Sequence, residues 1–263
     1  MLRFILDQMP AIALLLLIKT DAFADNIINI SQISVGDNNQ VGVSISGGSN
    51  LVDFSLSGSE NRIDVSQVGY NGYIGFTSIY GSAALWGGDL SGSHNAMTIH
   101  QYCLMGGGCA PNRFEFHIEG DMNTLQVAQG YDQNLEINPM NSGGASITLD
   151  LHGNNNILNL SQNNNVPAFH DMNIEIFSDN NDVNVHQSGE VSASVVMGIY
   201  NNGNFANIIQ STSGGSHSAS VILSGQFSTS LNLTQTGAVP LSYELNQNCV
   251  TFGGCSVTVV QGD

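Results

Sequence analysis

One seven-residue pattern recurs along almost the whole chain and restricts its fold more than any other feature. Each copy reads N-x-h-x-h-x-Q, where h is an apolar residue, so apolar positions alternate with mostly polar ones. Because successive side chains of a β-strand point to opposite faces, the Asn, the apolar pair and the Gln of a copy share one face. The complete copies begin and end at Asn26 and Gln32, Asn61 and Gln67, Asn95 and Gln101, Asn123 and Gln129, Asn156 and Gln162, Asn181 and Gln187, and Asn204 and Gln210, and two copies without the Asn end at Gln235 and Gln261.

The spacing of the copies predicts a repeat architecture. Between them lie strands with the same alternation but no Gln, and the strand starts Asn39, Asn50 and Asn61 are eleven residues apart. Eleven residues accommodate one strand and one turn, so a step of about 25 residues holds two strands, and a step of about 34 holds three strands or two with an insertion. The sequence therefore predicts an all-β chain, with a single β-solenoid domain of about nine stacked strand-turn-strand coils over residues 25–263.

The inward Asn and Gln residues predict side-chain ladders along this stack. Equivalent residues of successive coils lie about 4.7 to 4.8 Å apart, and a primary amide carries both donors and acceptors. A buried amide without partners costs about 1 to 3 kcal/mol, so an inward Gln is tolerable where another amide lies above or below it. We therefore expect Asn and Gln ladders that run the length of the stack. Simple surface exposure is disfavoured, because the Gln residues keep phase with the apolar positions.

The first 24 residues have the features of a secretory signal peptide. Arg3 precedes an apolar run from Met9 to Ile18, and Ala22 and Ala24 form an A-x-A cleavage site. That run is too short for a transmembrane helix, which needs about 20 residues. We therefore predict that residues 1–24 are removed and that the mature chain is secreted and does not insert into a membrane.

The charge balance excludes several partners. The net charge is −17, and beyond residue 24 the only Lys or Arg residues are Arg62 and Arg113. A chain with so few cations has little means of binding nucleic acid or an anionic membrane through the phosphate charges. Partners of either kind are not expected.

Four Cys residues form two similar local units, CLMGGGC and CVTFGGC. In an oxidising compartment this spacing predicts two disulfides, Cys103 with Cys109 and Cys249 with Cys255. A zinc site built from the two pairs is the alternative. It is disfavoured because the pairs lie far apart in the sequence and no His has a fixed spacing to either.

The repeat resembles the curlin repeat of curli-type bacterial amyloid subunits. The resemblance is carried by the Asn or Ser start, the alternating apolar pair, the Gln and the Gly that often follows it, as in SQVG, AQG, HQSG, TQTG and VQG. It implies that the nine Gln residues form the assembly ladder of an extracellular cross-β fibre of the cell surface or biofilm matrix. It also implies partners: further copies of the chain, other curli-type subunits, an outer-membrane export pore and a periplasmic chaperone. The role of major subunit, nucleator or anchor stays open.

The positions of the outermost copies support the same expectation without the resemblance. The first copy begins directly after the expected cleavage site, and the last ends two residues before the final Asp263. We therefore expect both terminal coils to lack a cap and to stack head to tail on further copies. Carboxylate repulsion opposes this association, so we expect faster fibre growth as the pH falls towards the isoelectric point of about 4.3.

Other chemistry finds little support in the sequence. His100 and His186 are interpreted as strand-surface residues rather than metal ligands, and no G-x-S-x-G or Ser/His/Asp arrangement stands out. A carboxylate pair of the glycosidase kind is the remaining alternative, and it is disfavoured because only Arg62 and Arg113 could neutralise an anionic glycan. We therefore expect neither enzymatic activity nor a cofactor. The alternative function is a monomeric secreted adhesin, or a carbohydrate-binding or anchor protein. In that case Tyr70, Tyr73 and Phe76 would form the binding surface.

Overall fold

The computed structural model describes residues 13–19, 26–32, 38–75, 88–103, 111–130, 144–164 and 168–262. These residues contain strands and turns only, and among them no helix is long and apolar enough to cross a membrane. The strands are β1 (Ala13–Lys19), β2 (Ile27–Gln32), β3 (Gln40–Gly48), β4 (Leu51–Ser57), β5 (Arg62–Tyr70), β6 (Gly72–Ile74), β7 (Gly88–Ser91), β8 (Ala96–Cys103), β9 (Asn112–Glu119), β10 (Thr124–Gln129), β11 (Ala145–His152), β12 (Ile157–Asn164), β13 (His170–Asp171), β14 (Glu175–Ile176), β15 (Asp182–Val183), β16 (His186–Gly189), β17 (Ala193–Ile199), β18 (Phe205–Thr212), β19 (His217–Gly225), β20 (Thr229–Gly237), β21 (Leu241–Cys249) and β22 (Cys255–Gln261).

The strands form two parallel sheets that the chain visits in turn. The first sheet runs β1-β3-β5-β8-β10-β12-β15-β18-β20-β22, with β16 at the level of β15. The second runs β2-β4-β6-β9-β11-β13-β17-β19-β21, with β7 beside β6 and β14 beside β13. Each described coil thus adds one level to each sheet, and the predicted all-β solenoid is confirmed.

The core lies between the two sheets and follows the alternation of the sequence. In β11, for example, Ile147, Leu149 and Leu151 are buried, while the residues between them are only partly buried. Phe114 and Phe116 of β9 stack at the centre, with ring centroids 5.2 Å apart. Parallel pairing in exact register places apolar residues above apolar residues at nearly every level.

A four-residue arc connects the second sheet to the first in the early coils. In the arc from Gly58 to Asn61, Gly58 has φ 104° and Glu60 has φ 57°. The arcs stack so closely that a Cβ on Gly58 would lie 1.8 Å from the carbonyl oxygen of Gly92, the equivalent residue of the next coil. Glycine is therefore required at this position both for its φ and for the close approach.

The apolar run of the expected signal peptide contributes a strand. β1 pairs in parallel with β3, with Ala13 opposite Gln40, and occupies the first level of the first sheet. Removal of residues 1–24 stays a prediction, and it would remove this level.

Candidate functional site: the amide ladders and the terminal coil

A continuous Gln ladder runs through most of the stack. Gln67 donates from Nε2 to Oε1 of Gln101 over 2.8 Å, and each following Gln donates in the same way to the next at 2.7 to 3.1 Å. All but the last are buried. The members are Gln67, Gln101, Gln129, Gln162, Gln187, Gln210, Gln235 and Gln261.

Each Gln also closes a corner of the coil. The second N–H of Gln129 is donated to the carbonyl oxygen of Arg113 at 2.9 Å, and that of Gln162 to Ser146 at 3.0 Å. These acceptors lie at the start of the preceding strand of the second sheet, so the amide joins the two sheets where one ends and the other begins. An inner Gln thus uses both N–H groups and its oxygen.

The ladder has a direction and ends inside the molecule. Every Nε2 donates towards the C-terminal end, so Gln67 needs a donor from the level before it. That level presents Ile45 opposite Gln67, and the buried Oε1 of Gln67 has no hydrogen-bond partner. At the other end, Gln261 is partly exposed: its Oε1 accepts from Gln235 at 2.8 Å, and its Nε2 donates to the carbonyl oxygen of Ser242 at 3.4 Å, with no further Gln beyond it among the described residues.

The prediction that Gln32 belongs to this ladder is wrong. β2 lies in the second sheet, where Gln32 pairs with Leu56. From Gln32 on β2 the chain passes to β3, β4 and then β5, which carries Gln67. Because these strands alternate between the two sheets, an advance of three strands places Gln32 and Gln67 in different sheets. The later steps of similar length advance by one coil, so they return to the same sheet.

The Asn residues at the starts of the first-sheet strands form a second ladder of a different kind. The Oδ1 atom of each accepts the backbone N–H of the next, as between Asn61 and Asn95 at 3.0 Å. Nδ2 donates to the carbonyl oxygen of the arc, as from Asn61 to Gly92 at 2.7 Å. The members are Asn39, Asn61, Asn95, Asn123, Asn156, Asn181 and Asn204, of which Asn39 was not among the predicted ladder residues.

Asn26 belongs to a third, shorter column at the starts of the second-sheet strands, not to the ladder predicted for it. Its Oδ1 accepts the backbone N–H of Asn50 at 3.1 Å, and Oδ1 of Asn50 accepts that of Gly72 at 2.9 Å. Further along, the same column holds His170 and His217, both buried. Sequence reasoning missed these two residues, because they interrupt rather than repeat the pattern.

The inward His170 has an unusual protonation equilibrium. Burial lowers its pKa to about 4, since the charged imidazolium would lose its hydration. Its Nδ1 accepts the backbone N–H of Ala193 at 3.1 Å, so Nδ1 carries no proton and the ring is neutral.

A disulfide replaces the Asn bridge in the last coil. Cys255 lies in the Asn column opposite Thr229, and Cys249 lies opposite Gly225 in the column of arc residues. The predicted Cys249–Cys255 disulfide is confirmed, with the two Cα atoms 5.8 Å apart. Cys103 is also disulfide-bonded, and its predicted partner Cys109 lies outside the described residues.

The terminal coil of β21 and β22 presents an unfinished core. Its inward residues Tyr243, Leu245, Val257 and Val259 pack on the core but are only partly buried, whereas Leu231 and Leu233 one level inside are fully buried. In the part of the chain that the structure describes, no strand pairs with the outer edge of β21 or β22. This end therefore offers backbone groups and apolar surface together.

The other predicted surface residues that the structure describes lie on four different strands. Tyr70 is 36% exposed, Tyr73 is partly buried, and Phe76 lies outside the described residues. His100 and His186 are both partly buried at outward positions of the first sheet. An exposed aromatic pair occurs elsewhere, where the rings of Phe177 and Tyr200 stack 5.8 Å apart on the second sheet.

Comparisons of the chain with protein-family models, with curated proteins and with solved structures find no match. The resemblance to the curlin repeat therefore stays a prediction.

Proposed function

We propose that this β-solenoid is a structural subunit or nucleator of secreted, curli-like amyloid fibres of the cell surface or biofilm matrix. The observation that carries the proposal is the terminal coil of β21 and β22, whose strand edges and half-covered core residues fit the start of another copy. Export through an outer-membrane pore, a periplasmic chaperone and co-assembly with other curli-type subunits belong to the same proposal and rest on the resemblance.

The number of levels supports head-to-tail growth of the processed chain. Ten levels of the first sheet and nine of the second are described, and β1 accounts for the difference. Without residues 1–24, the described residues form nine levels in each sheet. The last strand, β22, then lies in the first sheet, and the first strand, β2, lies in the second. Where one copy meets the next, the strands would therefore keep alternating between the two sheets, and neither sheet would miss a level.

The side chains at such a junction are complementary. Extending the register would place Val41 and Val43 of an incoming copy over Val257 and Val259 in the first sheet. In the second sheet, Ile28 would cover Tyr243, and Ile30 would cover Leu245. Burial of apolar surface stabilises such a contact by about 25 cal/mol per Å². Ile45 of the incoming copy would lie over Gln261 and cannot continue the ladder. The Gln ladder would therefore end at Gln261 and begin again at Gln67 of the next copy.

The experiment compares two substitutions on the last strand. V259K places a charge on the inward side of the terminal coil, where stacking would bury it without a partner. V260K adds the same charge at the neighbouring outward position, where Val260 is 75% exposed. Residues 25–263 of each variant are refolded and followed by thioflavin fluorescence and electron microscopy.

We expect fibres from wild type and V260K, and a persistent monomer from V259K that does not extend wild-type seeds. Equal growth of V259K and V260K would contradict growth at this end. A wild-type chain that stays monomeric under all conditions would contradict the fibre function itself.

A monomeric adhesin or carbohydrate-binding protein is the second candidate, and the exposed pair Phe177 and Tyr200 favours it. Their rings are nearly parallel, at 8°, and the Tyr200 hydroxyl donates to Glu175 at 2.6 Å, which provides a flat apolar platform with polar groups at its edge. If this function holds, F177A and Y200A reduce retention on immobilised polysaccharide, whereas the similarly exposed V196A does not.

A further inference from the structure

The outward face of the second sheet brings two His residues and several carboxylates together on β7, β9 and β11. In one column, His117 pairs with Asp89 on one side and with Asp150 on the other. In the adjacent column, Glu119 pairs with His152. The stretches HIE and DLH that supply these residues place them two apart on their strands, which puts them on one face.

The distances within this cluster are compatible with a shared metal ion. Glu119 lies between the rings, with Oε1 3.3 Å from His117 Nε2 and Oε2 2.9 Å from His152 Nδ1. One ligand atom from each of His117, Glu119 and His152 lies within 4.8 Å of the others. Ligands about 2.0 to 2.2 Å from a tetrahedral Zn²⁺ are about 3.3 Å apart, which is close to the two distances between Glu119 and the rings.

The outer nitrogen of each ring faces a further carboxylate. His117 Nδ1 lies 3.6 Å from Asp89 Oδ2, and His152 Nε2 lies 2.9 Å from Asp150 Oδ1. Carboxylates in this position orient metal-binding imidazoles and fix the tautomer in which the inner nitrogen carries the lone pair that binds a metal. Asp89 is itself held by the hydroxyl of Ser55, which donates to Oδ1 at 2.7 Å.

The charges of this cluster favour a bound cation. Oδ1 of Asp150 is buried and lies 2.9 Å from Nε2 of His152, so this carboxylate holds the ring and places a negative charge beside it. The cluster also carries more negative charge than its neighbours balance, since Asp89, Glu119 and Asp150 converge here. The nearest cationic side chain on β9 belongs to Arg113, four residues before His117.

We propose that His117, His152 and Glu119 bind a divalent transition metal ion, Zn²⁺, on the flank of the solenoid. Asp89 and Asp150 are positioning residues that hold the two rings. The metal joins β9 to β11, and through the carboxylates it organises three successive levels of the second sheet. The fourth position faces solvent and takes water. The imidazole ligands distinguish this site from a calcium site, which requires oxygen ligands.

The test uses the full chain without a polyhistidine tag, freed of metal by a chelator. Binding of Zn²⁺ is measured by calorimetry, and Co²⁺ serves as a spectroscopic probe of the ligand geometry. The variants are H117Q, H152Q and E119Q at the ligands, and D89N and D150N at the positioning residues. The matched control is H94Q, since His94 forms an exposed pair with Glu60 at 2.8 Å.

We expect one Zn²⁺ per chain, and a Co²⁺ spectrum typical of four-coordination with nitrogen and oxygen ligands. H117Q, H152Q and E119Q lower the affinity at least about tenfold, and D89N and D150N lower it by about 10- to 100-fold as positioning residues do. H94Q leaves affinity unchanged. Zn²⁺ raises the melting temperature of wild type and H94Q but not of H152Q.

Three results would overturn the proposal: no saturable binding, equal loss in H94Q and H152Q, or displacement of Zn²⁺ by equimolar Ca²⁺. Because the side chains concerned lie on the outer face, the variants should keep the wild-type far-ultraviolet spectrum. If H152Q fails to fold, E119Q decides, since the Glu119 side chain is 54% exposed and contributes little to the core.

Discussion

An inner Gln of the ladder satisfies every polar group of its side chain within the protein. Gln162, for example, donates to Gln187 at 3.0 Å and to the carbonyl oxygen of Ser146 at 3.0 Å, and accepts from Gln129 at 3.1 Å. These bonds run both along the stack and across it. The amide therefore specifies the register of the sheets in a way that an apolar residue does not.

Truncation of a central Gln should be costly. Q162A leaves the amides of Gln129 and Gln187 and the carbonyl of Ser146 each short of one partner, at about 1 to 3 kcal/mol for a buried group. We expect a loss of about 2 to 5 kcal/mol in the free energy of unfolding, measured by urea denaturation in the V259K background. N159A, at an exposed position of the same strand, should change it by less than about 0.5 kcal/mol. Equal effects of the two changes would show that the ladder does not stabilise the fold.

The unpartnered Oε1 of Gln67 allows the donor direction of the ladder to be tested by adding an amide before it. I45Q places an amide directly before Gln67, where it can donate to the buried Oε1. V43Q places the same amide two residues earlier on the inward face, in the apolar column opposite Val65. We expect I45Q to be about 1 to 3 kcal/mol more stable than V43Q in urea denaturation, because only the second buries an unsatisfied amide. The reverse order would contradict the polarity assigned to the ladder.

The buried His170 makes stability depend on pH. Its folded pKa of about 4 lies below the ordinary value of 6.5, so the folded state disfavours the charged form. Its contribution is fully present above pH 6.5 and is lost as the pH falls towards 4, by about 3 kcal/mol in total. H170N removes the titration and restores the residue type found at Asn50 and Asn112 of this column. We expect the unfolding free energies of H170N and wild type to diverge in favour of H170N from pH 7 to pH 4.5, and a constant difference would refute the assignment.

A strand and the corner that follows it form the repeating element of the fold. The corner is closed in three ways: by Gln at one side, by Asn with a stacked glycine arc at the other, and by the Cys249–Cys255 disulfide in the last coil. The disulfide spans the same two columns as the Asn bridge. These closures allow thin coils with few charges to hold their shape.

Glycine in the stacked arc should be irreplaceable. A Cβ on Gly92, which has φ 138°, would lie 1.9 Å from the carbonyl oxygen of Gly120. Gly253 also has a positive φ, of 95°, but its Cβ would meet nothing within 4 Å. We expect G92A to lower the melting temperature severely or to prevent folding, and G253A to cost only about 1 to 2 kcal/mol for the left-handed backbone. Thermal unfolding by circular dichroism distinguishes the two, and similar melting temperatures would argue against close stacking of the arcs.

The inward face, the solenoid and the presence of amide ladders could be predicted from the sequence, because period-two alternation and a repeated Gln depend only on local geometry. The sheet that holds Gln32 could not, since it depends on counting strands whose connections vary in length. Asn39 was missed because its strand carries Ile45 in place of Gln. The His117 and His152 cluster was missed because its members are distant in sequence and meet only through the register of the second sheet.

The hydrogen bonds of the Gln ladder all point in one direction along the stack, and the two ends of the stack differ. The Gln ladder points its donors towards β22, and the disulfide lies at that end. Near the opposite end, the level of β3 holds Ile45 in place of a ladder Gln. In this account the processed chain has nine levels in each sheet, which allows identical copies to add without a gap. The ladder restarts in each copy, so the fibre would repeat along its axis once per chain, in addition to the spacing between neighbouring strands.

That periodicity gives the most direct test of the claim that copies stack end to end. Cryo-electron microscopy of fibres grown from residues 25–263 should show the solenoid axis along the fibre. The axial repeat should be about 42 to 43 Å for each chain, from nine levels about 4.7 to 4.8 Å apart. Chains that each occupy a single strand spacing along the fibre, or solenoids that lie across it, would contradict the account.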